Sequence, residues 1–130
     1  MILAVGLGCQ RGCSVDALLD LFNAALAESG VERQRITALA SLDRKQDEPG
    51  LLALAQVLKL PLRFFSAAQL APYEGQLSHK SDTVFVHTGC YGIAESAALA
   101  LAEHLSQRPA TLLVTRKKTA MATFALACAG

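Results

Sequence analysis

Tryptophan is absent from this 130-residue chain, and aromatic residues make up only 5% of it. A core cannot then rest on clusters of large rings. Ala, Leu and Val must fill it, which favours helices and strands packed closely together. Long apolar runs are lacking too, since no segment reaches the ~18 continuous apolar residues that span a bilayer. The opening MILAVGLG has no basic stretch ahead of it and is broken by Gly6, Gly8 and Arg11, so it reads as a buried strand and not as a signal peptide. A soluble, cytoplasmic protein without membrane contact is expected. An excess of either charge is also missing: 12 Lys and Arg stand against 11 Asp and Glu, for a net +1. That balance argues against the basic face of a nucleic-acid binder. The one basic run, Arg116-Lys117-Lys118, lies between two apolar segments and reads as a solvated turn. Cysteines number four, Cys9, Cys13, Cys90 and Cys128. Without a secretory signal they are not expected in disulfides. A metal site needs two close ligand pairs, and only His87 with Cys90 would complement Cys9 and Cys13. Neither a metal nor a cofactor is expected, and the thiols read as buried or loop residues.

What is present is apolar material. Hydrophobic residues form 52% of the chain and charged ones 18%, which excludes disorder as the main state. The length fits one domain, residues 1–130. ILAVGL (2–7) suits a strand buried on both faces, and GLGCQRGC after it reads as irregular. Ser14 stands at an N-cap position, ahead of a helical stripe of Val15, Leu18, Leu19, Phe22 and Leu26 that Gly30 closes. ITALASL (36–42) reads as a second strand. Pro49 opens a helix whose all-round hydrophobicity predicts deep burial, and Pro61 stops it. LRFF (62–65) is a third strand, and Ser66 with Gln69 has capping-box spacing. TVFVH (83–87) is a short strand candidate, and 93–105 is an alanine-rich helix suited to close approach to a sheet. TLLVT (111–115) and MATFALACA (121–129) form a hairpin across RKKTA. The alternation predicts an α/β fold: three layers, a mixed and mostly parallel sheet with helices on both faces, and a C-terminal antiparallel strand pair.

Ligands of open α/β sheets bind beyond the carboxyl ends of the parallel strands. Three loops are expected there. The first carries Gly6, Gly8, Cys9, Arg11 and Gly12, and reads equally as an anion-receiving turn or a plain tight one. It matches neither the dinucleotide fingerprint nor a Walker loop. The second runs from Ser41 to Glu48. Here Lys45, with Arg11, is a candidate carboxylate receptor, against the alternative of a solvated cation. Glu48 is a candidate acid or base, or only a complement to the next helix dipole. The third offers His87, Gly89, Tyr91, Glu95 and Ser96. His87 and Glu95 are acid/base candidates, with an edge histidine and a dipole partner as the alternatives. His79 and Lys80 fall in a surface loop, and Ser96 with His104 forms no triad, the nucleophile elbow being absent.

Taken in order, GLGCQRGCS, ALASLDRKQDEPGLLALA, LPLRFFSAAQL, GCYGIAESAALALA and KKTAMATFALA resemble the blocks of the CobE and C-terminal CbiG family of cobalamin (vitamin B12) biosynthesis. The resemblance covers nearly the whole chain. It implies handling of a precorrin or corrin acid, a tetrapyrrole-derived partner, with other enzymes of the pathway as further partners. In that family the C-terminal CbiG domain belongs to an enzyme that opens a lactone in a cobalt-precorrin and releases acetaldehyde, whereas CobE stands alone. The chain matches without the N-terminal part of CbiG, so the expectation is a carrier or accessory factor. The alternative is lactone hydrolysis, with Glu48, His87 or Glu95 as acid or base. A corrin acid sets carboxylates around a flat apolar ring. Arg11, Lys45 and the glycine-loop amides would receive the carboxylates, and Tyr91 would help to floor the ring.

Overall fold

The structure is a computed structural model that describes residues 1–78 and 92–130. The expected strand 83–87, and His79, Lys80, His87, Gly89, Cys90 and Tyr91, lie outside the described residues. The elements run β1 (Ile2–Cys9), α1 (Val15–Ser29), β2 (Ala38–Leu42), α2 (Pro49–Leu58), β3 (Leu62–Phe65), α3 (Ala67–Leu70), α4 (Ile93–Ser106), β4 (Ala110–Lys118) and β5 (Ala122–Ala129). Local signals place most of the boundaries. Ser14 Oγ accepts from Ala17 N–H, and Gly30 ends α1 in the left-handed region at φ 74°. Ser66 and Gln69 form the capping box reciprocally. Helix α2 ends before Pro61, at Leu58, where Lys59 takes a left-handed φ of 56°.

The described strands form one sheet in the order β3-β2-β1-β5-β4. The β1–β2 and β2–β3 pairs are parallel, and the β1–β5 and β4–β5 pairs antiparallel. The α/β class and the mixed sheet stand as expected, but the sheet is only half parallel. Strand β5 folds back from β4 and enters the sheet beside β1, so the C-terminal hairpin replaces a parallel neighbour. Its connection is three residues, 119–121, and not five, because both strands extend. Arg116, Lys117 and Lys118 therefore belong to β4 and not to a turn.

Side-chain size divides the two faces. Leu3, Val5 and Leu7 of β1 meet Leu18 and Phe22 of α1, Leu51 and Leu54 of α2, and Phe124 and Leu126 of β5. Phe22 and Phe124 touch edge to face at 5.9 Å. The opposite face is mostly alanine at its centre, Ala4, Ala38, Ala40, Ala125, Ala127 and Ala129 against the α4 run Ala94–Ala102, with Leu42, Phe65 and Leu70 completing the cluster. Small residues let α4 sit so close that a Cβ on Gly6 would lie 1.8 Å from the Ala94 carbonyl oxygen. The scarcity of aromatics is thus matched by one thin alanine layer and one layer of larger side chains.

The expected deep burial of α2 is corrected. It buries Leu51 and Leu54 but leaves Leu52 40% and Val57 51% exposed. Helix α2 packs mainly on α1, and among the described residues no further layer covers it, so only one stripe finds a partner.

Candidate functional site

The carboxyl ends of β1, β2 and β3 open at one edge. The β1–β2 ladder runs from Ala4↔Ala38 to Gly6↔Ala40. Beyond it β1 continues against β5 as far as Cys9↔Ala122, and β2 against β3 as far as Leu42↔Phe65. Strands β1 and β2 therefore part. In the gap the wholly buried Ser41 donates its hydroxyl to the Leu7 carbonyl at 2.7 Å. This bond occupies the backbone carbonyl that the ladder leaves behind.

Gly6 and Gly8, read from sequence as loop residues, lie within β1. Gly6 admits α4. A Cβ on Gly8 would stand 2.6 Å from Thr123 Oγ1 on the neighbouring strand. The regular ladder to β5 continues to Cys9, so the loop begins at Gln10 and not at Gly6.

The first loop is held on both sides. Gln10 N–H donates to the Met121 carbonyl of the β4–β5 turn at 2.9 Å, and Cys13 N–H closes back on the Gln10 carbonyl at 3.1 Å. Gly12, at φ 80°, supplies the left-handed residue of this turn. Its N–H donates to Glu48 Oε1 at 2.8 Å. Glu48 caps no N–H of α2, where it stands at the N-cap; instead its buried carboxylate ties the second loop to the first. Gly50 makes the junction tight, since a Cβ there would meet the Cys13 carbonyl oxygen at 2.1 Å. Arg11 stands exposed between the two anchors, and Lys45, half-buried, lies in the short 3-10 turn Asp43–Lys45 of the second loop. Burial pushes the Cys9 thiol up to about 11, with Lys45 pulling against it and Glu48 and Cys13 adding to it. Cys13 moves in the same direction, by burial and then Glu48, again opposed by Lys45. Cys9, Cys13, Lys45 and Glu48 thus share one electrostatic neighbourhood. No group of three or more His, Cys, Asp or Glu able to hold a metal occurs among the described residues.

From the third loop the structure describes Glu95 and Ser96, both fully buried in the first turn of α4. Glu95 accepts from Ser78 N–H at 2.8 Å, from the Ser78 hydroxyl, and from Arg116 N–H of β4 at 2.9 Å. Ser96 Oγ donates to the Gly92 carbonyl at 2.7 Å. Sequence reasoning missed Gln10, Gly50 and Met121 as partners of the first loop. Gly50 carried a signal, because glycine inside a helix is unfavourable unless another backbone comes close.

A separate open groove of about 480 Å³ lies between α3 and α4, lined in part by Phe65, Gln69, Tyr73, Glu103, His104 and Arg108. Burial and the neighbouring Glu103 raise the Tyr73 phenol. Its Arg108 shares the groove with the Glu103 carboxylate and the Tyr73 phenol, so it suits a polyanion less well than the loop edge does.

These features define an open α/β protein whose carboxyl edge gathers a glycine turn, buried tethering carboxylates and the cations Arg11 and Lys45. Residues 3–127 match the family described as Cobalamin synthesis G C-terminus, and the chain belongs to that family. It is 41% identical to Protein CobE of Sinorhizobium sp over 125 residues, covering 96% of this chain and 79% of that one. It is 32% identical over 126 residues to the cobalt-precorrin-5A hydrolase of Priestia megaterium, covering 97% of this chain but 32% of the relative. The chain thus spans about a third of that hydrolase. The crystal structure of CobE, a protein from the cobalamin (vitamin B12) biosynthetic pathway, superposes with a TM-score of 0.93 at 44% identity over 97% of this chain and 89% of that one. That of cobalamin biosynthesis protein chiG from Agrobacterium tumefaciens str. C58 gives 0.76 at 27% identity over 99% of each. The chain is a cobalamin biosynthesis protein. No helix among the described residues is long and apolar enough to cross a membrane.

Proposed function

We propose that the chain binds a precorrin or corrin-acid intermediate at the carboxyl edge of its sheet and serves the pathway as a carrier or accessory factor. The observation that carries this reading is the doubly anchored first loop, which holds Arg11 out between the Met121 and Glu48 tethers, next to the loop that bears Lys45. Solvent-accessible cations on braced backbone suit a ligand with several carboxylates, because less freedom is lost when the ion pairs form. The likeness to CobE supports the choice of ligand class.

The likeness to cobalt-precorrin-5A hydrolase favours a second reading, lactone hydrolysis with Glu48, Glu95 or His87 as acid or base. Glu48 and Glu95 both hold backbone N–H groups that join separate segments, which favours binding over turnover for these two. An absorbance titration of the pure protein with hydrogenobyrinic acid and with earlier precorrins tests both. Saturable spectral change without a released two-carbon product is the expected result. Released acetaldehyde selects the hydrolase, and no spectral change with any of these compounds removes the binding reading. Arg11→Ala combined with Lys45→Ala should weaken binding of hydrogenobyrinic acid, and unchanged affinity counts against the edge as the site.

A further inference from the structure

We propose that the receptor for the ligand's carboxylates continues across the sheet to the carboxyl end of β4, where Arg116 and Lys118 bind the side of the macrocycle opposite Lys45; this rests on the reading above. Strand β4 is antiparallel to β5, which is antiparallel to β1, so the last residues of β4 reach the same edge as the first loop. The registers align Lys118 with Thr123 and Thr123 with Gly8, one residue before Cys9. The Gln10–Met121 hydrogen bond joins the first loop to the turn that follows Lys118. Lys45, Arg11 and Lys118 therefore follow one another along a continuous edge. From β2 to β4 it spans three strand spacings, roughly 14 Å.

The three residues of the basic run are not equivalent. Lys117 Nζ is 2.8 Å from Glu28 Oε1 on α1, so its charge already has a partner. The side chains of Arg11, Lys45, Arg116 and Lys118 have no acid partner among the described residues. Strand β4 has an irregular register between Val114 and Lys117. Within that interval the Arg116 N–H turns to the buried carboxylate of Glu95 at 2.9 Å. Glu95 thus pins the backbone of Arg116 against the first turn of α4 while its carboxylate leaves the guanidinium available to a ligand. A bulge re-aims the side chains of a strand in this way. The competing explanation is edge protection, because lysines and bulges on an outer strand also discourage pairing with other chains.

The experiment is the hydrogenobyrinic acid titration at low salt, on the full chain. Arg116→Gln combined with Lys118→Gln is expected to weaken binding by about tenfold, the loss of two modest surface ion pairs. Lys117→Gln should bind like the parent, and Arg116→Lys combined with Lys118→Arg should restore most of the affinity. Thermal melting of each variant verifies the fold, and sedimentation separates edge protection from binding. Parent binding with an equally tight Gln double variant overturns this inference alone and leaves the ligand reading standing, whether or not that variant self-associates. A parent that does not bind removes both.

Discussion

Gly6 and Gly12 resist replacement for opposite reasons, and the pair tests how the edge is built. A methyl group on Gly6 has nowhere to go, because it would lie 1.8 Å from the Ala94 carbonyl oxygen and 2.7 Å from Ala98 N, both backbone atoms of α4. Backbone does not swing aside as a side chain does, so Gly6→Ala should cost about 3 kcal/mol or more through overpacking. Gly12 has open space, with nothing within 4 Å of its ideal Cβ, but φ is 80°. Gly12→Ala should therefore cost only about 1–2 kcal/mol, the left-handed penalty of an L-residue. Urea unfolding of the two variants gives the comparison. A Gly6→Ala chain that unfolds at the parental midpoint would mean that α4 does not approach β1 this closely.

At the scale of elements, α2 gives the clearest contrast between pattern and packing. PGLLALAQVL is apolar on every side, yet only Leu51 and Leu54 are buried. Leu54→Ala should cost about 2–5 kcal/mol, while Leu52→Gln, on the outer face, should stay within about 0.5 kcal/mol. Chemical denaturation of both measures it, and equal losses would mean that another layer covers α2. The same helix shows what the chain's letters reveal and what they hide. Periodicity, Ser14, Gly30, Pro49 and the Ser66–Gln69 box are local signals, and they placed α1, α2 and α3 correctly. What covers a helix is a long-range matter, as is the partner of a strand. The half-antiparallel sheet depends on β5 entering beside β1, far away in sequence, and no periodicity records it. The candidate site divides in the same way. Arg11, Gly12 and Lys45 were recognisable as charged or glycine-rich turns after strands. That Glu48 reaches Gly12, 36 positions away, and that Glu95 reaches Arg116, 21 positions away, was not, because such contacts exist only once the strands have been ordered. Consecutive cations resemble solvated chain, so the basic run reads as a turn in the sequence; two register irregularities instead let β4 carry it within a strand.

For the molecule as a whole, binding and stability are linked. A compound that binds only the folded chain stabilises it by about 2.7 kcal/mol at a hundredfold excess over its dissociation constant. Hydrogenobyrinic acid at saturation should accordingly raise the melting midpoint by several degrees. Salt then separates the source of that gain. The pair Lys117–Glu28 is exposed, with side chains 36% and 66% accessible, and such a pair contributes at most about 1 kcal/mol. The unliganded melting temperature should move little as salt rises. The gain on adding ligand should shrink sharply by about 0.5 M salt, where screening acts over roughly 4 Å, because it arises from solvent-accessible cations meeting carboxylates. Differential scanning calorimetry across a salt series, with and without the compound, measures both. A stabilisation that persists undiminished at high salt would assign the binding energy to apolar contact with the ring, and the row of cations from Lys45 to Lys118 would then have to serve some purpose other than holding this ligand.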